Sequence, residues 1–197
     1  MSPLTPITAL TPITAVTQLH PNPPLARPTW AWMRAHPARL VALGLGSGLS
    51  PKAPGTAGTL WAWAAFLLLN QFGLTVAQWG ALIGLAALLG WWASSVSARH
   101  SGIKDPGFIV IDEIVAFWWV LWLVMPTGFW GQLTAFVIFR FFDAVKPGPV
   151  GWADRLFHDV DVEHDQWGWT KTGFGIMLDD LVAAFCTLLV IAFWRLI

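Results

Sequence analysis

The chain carries little charge, a single cysteine and no tyrosine. Among its 197 residues only 11% are Asp, Glu, Lys or Arg, less than half of the roughly 25% found in soluble domains. Its formal net charge is zero, which argues against a nucleic-acid partner, because phosphate binding draws on a surplus of Lys and Arg. Cys186 stands alone, so an intramolecular disulfide framework and a CxxC metal or redox site are both excluded. What fills the chain is apolar: 56% of residues are hydrophobic, with 15 Trp and 13 Phe, and the mean hydropathy is +0.60. Such a chain is too hydrophobic to be disordered over most of its length. It reads as a small integral membrane protein.

The first 37 residues differ in kind. They hold eight of the 14 prolines, and LTPITA occurs in tandem at 4–9 and 10–15. Proline at this density prevents a continuous helix, and the repeat is too short for a solenoid unit. The basic start and unbroken apolar core of a secretory signal are missing there. Residues 1–37 are expected to be a disordered, Pro/Thr-rich N-terminal tail and linker, with 38–197 as the membrane-embedded domain. Near the junction, Trp30, Trp32 and Met33 beside Arg34 and Arg39 predict the start of an interfacial helix.

Five apolar segments follow: 59–69 (reaching 72 if Asn70 and Gln71 lie at the interface), 76–96, 108–125, 129–145 and 174–197. The second, at about 21 residues, crosses a hydrocarbon core of about 30 Å at about 1.5 Å per residue. The expected fold is all-α, a polytopic helical bundle of about five spans. Gly80 and Gly84 form a GxxxG, a pattern of close helix packing. In this five-span arrangement nine of the 11 Lys and Arg fall on one side, Arg195 alone falls on the other, and Arg140 lies inside a span. The positive-inside rule then puts the N-terminus in the cytoplasm.

Apart from Arg195 near the C-terminus, six charged residues fall within the expected spans: Asp112, Glu113, Arg140, Asp143, Asp179 and Asp180. A charge at mid-bilayer costs at least about 2.5–3.5 kcal/mol, so intramembrane charges are usually functional. Asp112 is expected about 6 Å inside the third span, Asp143 at the cytoplasmic end of the fourth, and Asp179 near the cytoplasmic start of the fifth. Three helices thus deliver acid to one layer. Five carboxylates against Arg140 and Lys146 leave an excess of about three negative charges, which requires protonation or a bound cation. The donors are all oxygens, which suits a hard ion such as Mg²⁺. Arg140 and Asp143 share a helix face at i, i+3, and Lys146 follows three residues later. Interhelical ion pairing alone would not leave excess negative charge. A membrane ion or proton transporter is the alternative, but a relay needs groups spread through the membrane.

The loop GSGLSPKAPGTAGTL at 46–60 has chemistry suited to an anion. Its glycines let backbone N–H groups approach phosphate oxygens, and a helix N-terminus follows. It lacks the GKS or GKT ending of a P-loop. Ser47, Gly48, Ser50, Gly55 and Thr56 are its candidate phosphate-binding residues, joined by Arg140 and Lys146. The KPGP turn at 146–149 is expected to hold Lys146 near the acid layer. Trp61, Trp63, Trp118 and Trp119 are candidates for a surrounding wall, or for ordinary packing.

Taken together, the blocks at 46–60, IDEIVAF at 111–117, FRFFDAVKPGPV at 139–150, the Asp154-Arg155 pair and GFGIMLDDLVAA at 173–184 resemble those of the phosphatidylglycerophosphatase A family, in that family's order. The resemblance implies a Mg²⁺-dependent phosphatase of the bacterial inner membrane, facing the cytoplasm. Such an enzyme removes the terminal phosphate of phosphatidylglycerophosphate to leave phosphatidylglycerol. It implies Asp112, Glu113, Asp143, Asp179 and Asp180 as catalytic and metal-binding groups, and it adds Arg155 to the phosphate-binding candidates. The implied partner is a membrane phospholipid, with no obligate protein partner. Either water or a carboxylate oxygen can be the nucleophile.

Two stretches depart from the family pattern. One is the tail; the other is LFHDVDVEHDQWGWTKT at 156–172, longer than the expected link, with KTG in place of a double glycine. Its alternating Asp159, Asp161, Glu163 and Asp165 suggest a solvated strand or hairpin. An EF-hand would need Gly and Glu where His164 and Thr170 stand, and His158 and His164 are not expected to bind metal. Two other lipid-phosphate chemistries lack their residues here. No histidine lies on a span to act as nucleophile, and the acidic pattern of the CDP-alcohol phosphotransferases is missing.

Overall fold

The computed structural model describes residues 25–196. All of the regular structure among the described residues is helical. Most of the expected tail, residues 1–24, lies outside them. Near the junction, α1 (Trp30–Arg34) is capped by Thr29, whose hydroxyl accepts the Trp32 N–H, and α2 (Pro37–Ala42) by His36, whose Nδ1 accepts the Ala38 N–H. A 3₁₀ segment at Gly44–Leu49 leads to α3 (Pro54–Asn70), which starts with Pro at its first turn. A capping box of Thr75 and Gln78 starts α4 (Val76–Ser101), and left-handed Gly102 ends it.

The remaining helices are α5 (Ile111–Val124), α6 (Phe129–Val145), α7 (Pro149–Leu156) and α8 (Gly168–Leu196). Helices therefore stand at all five expected spans, as α3, α4, α5, α6 and α8. Of these, α4 with 26 residues and α8 with 29 are long and apolar enough to cross a membrane. Their exposed surface includes Leu85, Leu88, Phe193 and Trp194, a large apolar area that suits lipid better than water.

Helix α5 is the hub and packs against α3, α4, α6 and α8. Val115, Ala116, Phe117, Val120 and Leu121 are all fully buried on it. Around them, Trp79 stacks on Phe66 at 4.2 Å, and Trp63 stacks on Phe129 and Phe136 at 5.7 Å. Indole N–H groups in this core find acceptors: Trp63 donates to Gln132 Oε1 at 2.6 Å and Trp118 to the Ala62 carbonyl at 2.8 Å. Trp63 and Trp118 are therefore packing aromatics.

Several expectations need correction. The third span is helical only from Ile111: Val110 stands outside helical geometry at φ −137°, and its N–H is held by the Ala42 carbonyl. The last helix starts six residues early, at Gly168, so that KTG is helical. The acidic stretch around 158–167 forms turns, not a strand or hairpin, since Asp161 and Asp165 accept N–H groups of their own loop. The GxxxG packs by half: Gly80 brings α4 against the Trp122 ring of α5, where a Cβ would lie 3.2 Å away, while a Cβ on Gly84 would meet nothing within 4 Å. Close approach occurs instead at Gly173, where a Cβ would lie 2.6 Å from the Ser95 backbone nitrogen.

Candidate functional site

One end of the bundle collects the acids. Asp112 and Glu113 lie in the first turn of α5, where Asp112 Oδ1 accepts the Glu113 N–H at 3.0 Å. Asp180 comes from α8 and is 3% exposed. Asp112, Glu113 and Asp180 each offer an oxygen within 4.8 Å of the others. Glu113 Oε2 and Asp180 Oδ2 are buried without any hydrogen-bond partner. A buried acceptor left unpaired costs about 1–3 kcal/mol, and more when charged. Three carboxylates converging with two orphaned oxygens fit a metal ion with oxygen ligands.

Two cations border this cluster. From α6, Arg140 pairs with Asp143 one turn on, reaches Glu113 Oε1 at 3.7 Å and donates to Thr59 Oγ1 at 3.2 Å. Thr59 in turn donates to the Gly55 carbonyl at 2.9 Å. Lys146 caps α6 in the left-handed region at φ 49°. Its ammonium bridges Asp154 of α7 and Asp179 of α8, the latter at 2.5 Å. Burial works against that charge, but Asp179 and Asp154 outweigh it and hold the ammonium well above the usual lysine range. The KPGP turn thus keeps Lys146 on the acid layer.

The five motif acids and both cations therefore form two adjoining groups, Arg140 with Asp143, Glu113, Asp112 and Asp180, and Lys146 with Asp179 and Asp154, which meet at the consecutive Asp179 and Asp180 of α8. Asp179 joins although it lies 11 residues into α8, because the early helical turns pack beside α7 and carry the helix past the interface loops. The glycine-rich loop joins the first group in part. A Cβ on Gly55 would lie 2.0 Å from Glu113 Oε1 and 3.3 Å from an Arg140 nitrogen, so only glycine lets the backbone come so near. Ser47 and Ser50 turn back onto carbonyls of their own loop, at Gly44 and Lys52. Gly48 packs against the Phe108 carbonyl, Thr56 lies in the first turn of α3, and Arg155 is exposed without an ion pair among the described residues. His164 pairs with Asp161 on the exposed loop, away from the acids.

Thr59 and Asp154 were missed as site residues. Thr59 sits four residues after Gly55, one helical turn, and that spacing could have suggested it. Asp154 stood in a quoted pair, but only its contact with Lys146 gives it a role.

The chain matches the model of the family described as phosphatidylglycerophosphatase A over residues 40–195. It is 37% identical over 155 residues to phosphatidylglycerophosphatase A of Escherichia coli, covering 76% of this chain and 78% of that protein. It is 34% identical over 165 residues to the Haemophilus influenzae protein of the same name, covering 82% and 92%. A Bacteroides thetaiotaomicron protein provisionally named a phosphatidylinositol-3-phosphatase is 35% identical over 162 residues, covering 79% and 92%. No solved structure matches the chain.

Proposed function

Because this chain belongs to the phosphatidylglycerophosphatase A family and is a phosphatase acting on a phosphomonoester, we propose that it hydrolyses the terminal phosphate of phosphatidylglycerophosphate, with Mg²⁺, to give phosphatidylglycerol in phospholipid biosynthesis. The observation that carries this reading is the pair of orphaned carboxylate oxygens on Glu113 and Asp180, buried beside Asp112, with Arg140 against Glu113 and Lys146 against the neighbouring Asp179. Asp112, Glu113 and Asp180 would hold the ion, with Asp143 and Asp179 beside them. When bound, Mg²⁺ neutralises charge on the phosphoryl group and makes water more acidic.

The chain's own residues do the rest. Arg140 and Lys146 supply N–H donors to phosphate oxygens as negative charge builds up. Asp143 and Asp179 hold those two cations in place. The backbone at Gly55 approaches from the glycine-rich loop, where Ser47, Gly48, Ser50 and Thr56 remain phosphate-binding candidates, as does Arg155. Water is the nucleophile in this reading, since Asp143 and Asp179 are engaged by cations and the other acids serve as ligands. A phosphoaspartyl adduct trapped in a slow variant would overturn that choice.

The bundle is read as five spans in the bacterial inner membrane, with the acid layer toward the cytoplasm. The excess of Lys and Arg at that end supports this orientation. The transporter alternative is not favoured, because the acids gather at one end and Arg195, in the far half, donates to the Val124 carbonyl. Purified protein should release inorganic phosphate from phosphatidylglycerophosphate with Mg²⁺ and stop with EDTA; no release would overturn the reading. In an active Cys186→Ala background, Ser47→Cys should react with an impermeant thiol reagent only in inside-out vesicles. Labelling from the outside of spheroplasts would invert the topology.

A further inference from the structure

A cavity adjoins the acid layer. It has a volume of about 330 Å³ and reaches Asp179. Lys104 and Asp105 from the α4–α5 connection, His158 after α7, and Thr172 of α8 line it, with Ile103, Phe157 and Ile176 as apolar walls. Its size is at the low end of ligand cavities, about 300–1,000 Å³. That is room for a small polar headgroup and too little for two acyl chains.

Three features give the cavity its chemistry. The Thr172 hydroxyl is buried without a hydrogen-bond partner, in a residue only 4% exposed. Native proteins seldom leave such a group unpaired. Lys104 is exposed and forms no ion pair among the described residues, where its Nζ donates to the His158 carbonyl at 3.5 Å. The two acids nearest the catalytic layer, Asp154 and Asp179, are already engaged by Lys146. A third carboxylate on the lining, Asp105, has no ion pair among the described residues, so the interior is suited to hydroxyl groups more than to a second bare anion, with Lys104 as the one lysine on its lining.

We propose that this cavity is the headgroup subsite, in which Thr172 pairs with the headgroup's free hydroxyl and Lys104 meets its phosphodiester. The proposal rests on the phosphatase reading above. In phosphatidylglycerophosphate the terminal phosphate is followed by a glycerol with one free hydroxyl, and then by the phosphodiester. With the terminal phosphate at the acids, the free hydroxyl falls inside this cavity and the phosphodiester at its exposed Lys104 edge. Phosphatidate has neither group, since its phosphate joins the diacylglycerol directly. The subsite thus provides selectivity for a hydroxylated, doubly phosphorylated lipid.

The test compares purified wild type, Thr172→Val and Lys104→Gln in the same detergent on phosphatidylglycerophosphate and on phosphatidate of matched acyl chains. Thr172→Val keeps the shape and removes the hydroxyl; Lys104→Gln changes an exposed loop residue. The ratio of kcat/KM for the first lipid over the second should fall about fivefold in Thr172→Val and about tenfold or more in Lys104→Gln. KM for phosphatidylglycerophosphate should rise, with kcat within about twofold of wild type. An unchanged ratio in both variants, or a loss confined to kcat, overturns the subsite while the phosphatase reading stands. Failure of wild type to release phosphate from either lipid overturns the phosphatase reading and the subsite with it.

Discussion

The two ends of the bundle are built on opposite terms. At the far end and through the middle, Trp63, Phe117, Phe129 and Phe136 pack ring against ring, and the polar group among them, Gln132, is satisfied by Trp63 and the Thr127 carbonyl. At the acid end, helices α5, α6 and α8 bring five carboxylates to two cations and leave carboxylate oxygens on Glu113 and Asp180 unpaired. The first arrangement stabilises the fold. The second opposes it, since like charges are crowded away from water, and it persists because the packed half over-determines where the helices run. Substitutions in the two halves should therefore separate stability from activity.

The largest effect is expected at the acid end, on rate. Asp143→Asn and Asp179→Asn keep the side-chain shape but release Arg140 and Lys146 from their carboxylates. Each should lower kcat by about 10³ or more, while the protein still inserts and elutes as wild type in detergent. Near-wild-type turnover in both would remove the carboxylate layer from the chemistry and with it the contrast between the ends.

In the packed half the expected change is in stability. Phe117 is fully buried and contacts Trp63, Phe136 and Phe139. Phe117→Ala should destabilise the bundle by about 3–5 kcal/mol through lost packing and the cavity left behind. Thermal melting in detergent reads this directly. Phosphate release by the folded fraction at low temperature should stay within a few-fold of wild type; a loss comparable to Asp143→Asn would show that the halves are not separable.

A smaller effect of opposite sign is expected at Glu113. In EDTA, Glu113→Gln should be more stable than wild type by about 1–2 kcal/mol, because it removes one charge from a crowded like-charged group while Arg140 keeps its pairing with Asp143. Mg²⁺ should then stabilise wild type, by about 2.7 kcal/mol at a hundredfold excess over Kd, and Glu113→Gln much less. Equal Mg²⁺ shifts in the two proteins would place the ion elsewhere. This readout does not depend on turnover.

The convergence of the acids was legible in the sequence because the membrane makes charge expensive: Asp112, Glu113, Asp143, Asp179 and Asp180 stand out against apolar helices. The signal is lost where that expense is absent. Asp154, Lys104 and Thr172 lie on interface elements where polar residues are ordinary, so only their neighbours reveal them. The start of α8 was hidden for a related reason. Gly168, Gly173 and Gly175 read as loop residues, yet they let α8 approach the Asp161–Val162 backbone, Ser95 and Phe157. Gly84 misled in the other direction, since a small residue can as easily face open space as a neighbouring helix.

The smallest effect is expected from the second acidic group, around 158–167, which shares composition with the site but not its environment. Asp161 is exposed and accepts the N–H groups of Glu163 and His164, each at 3.0 Å. These bonds hold its carboxyl below the usual aspartate range. A folded-state value below the unfolded one means that the contribution to stability is present above the ordinary aspartate range, near pH ~4. It is lost as pH falls through the lowered value. Asp161→Asn keeps an oxygen acceptor for the backbone and loses only the charge. Its melting temperature should therefore lie slightly below wild type at pH ~7 and converge with it as the pH falls below the lowered value of Asp161. Phosphate release should be unchanged. A fall in turnover like that expected of Asp143→Asn would make this loop part of the acid layer, and the distinction between buried and solvated acids on which the site rests would fail.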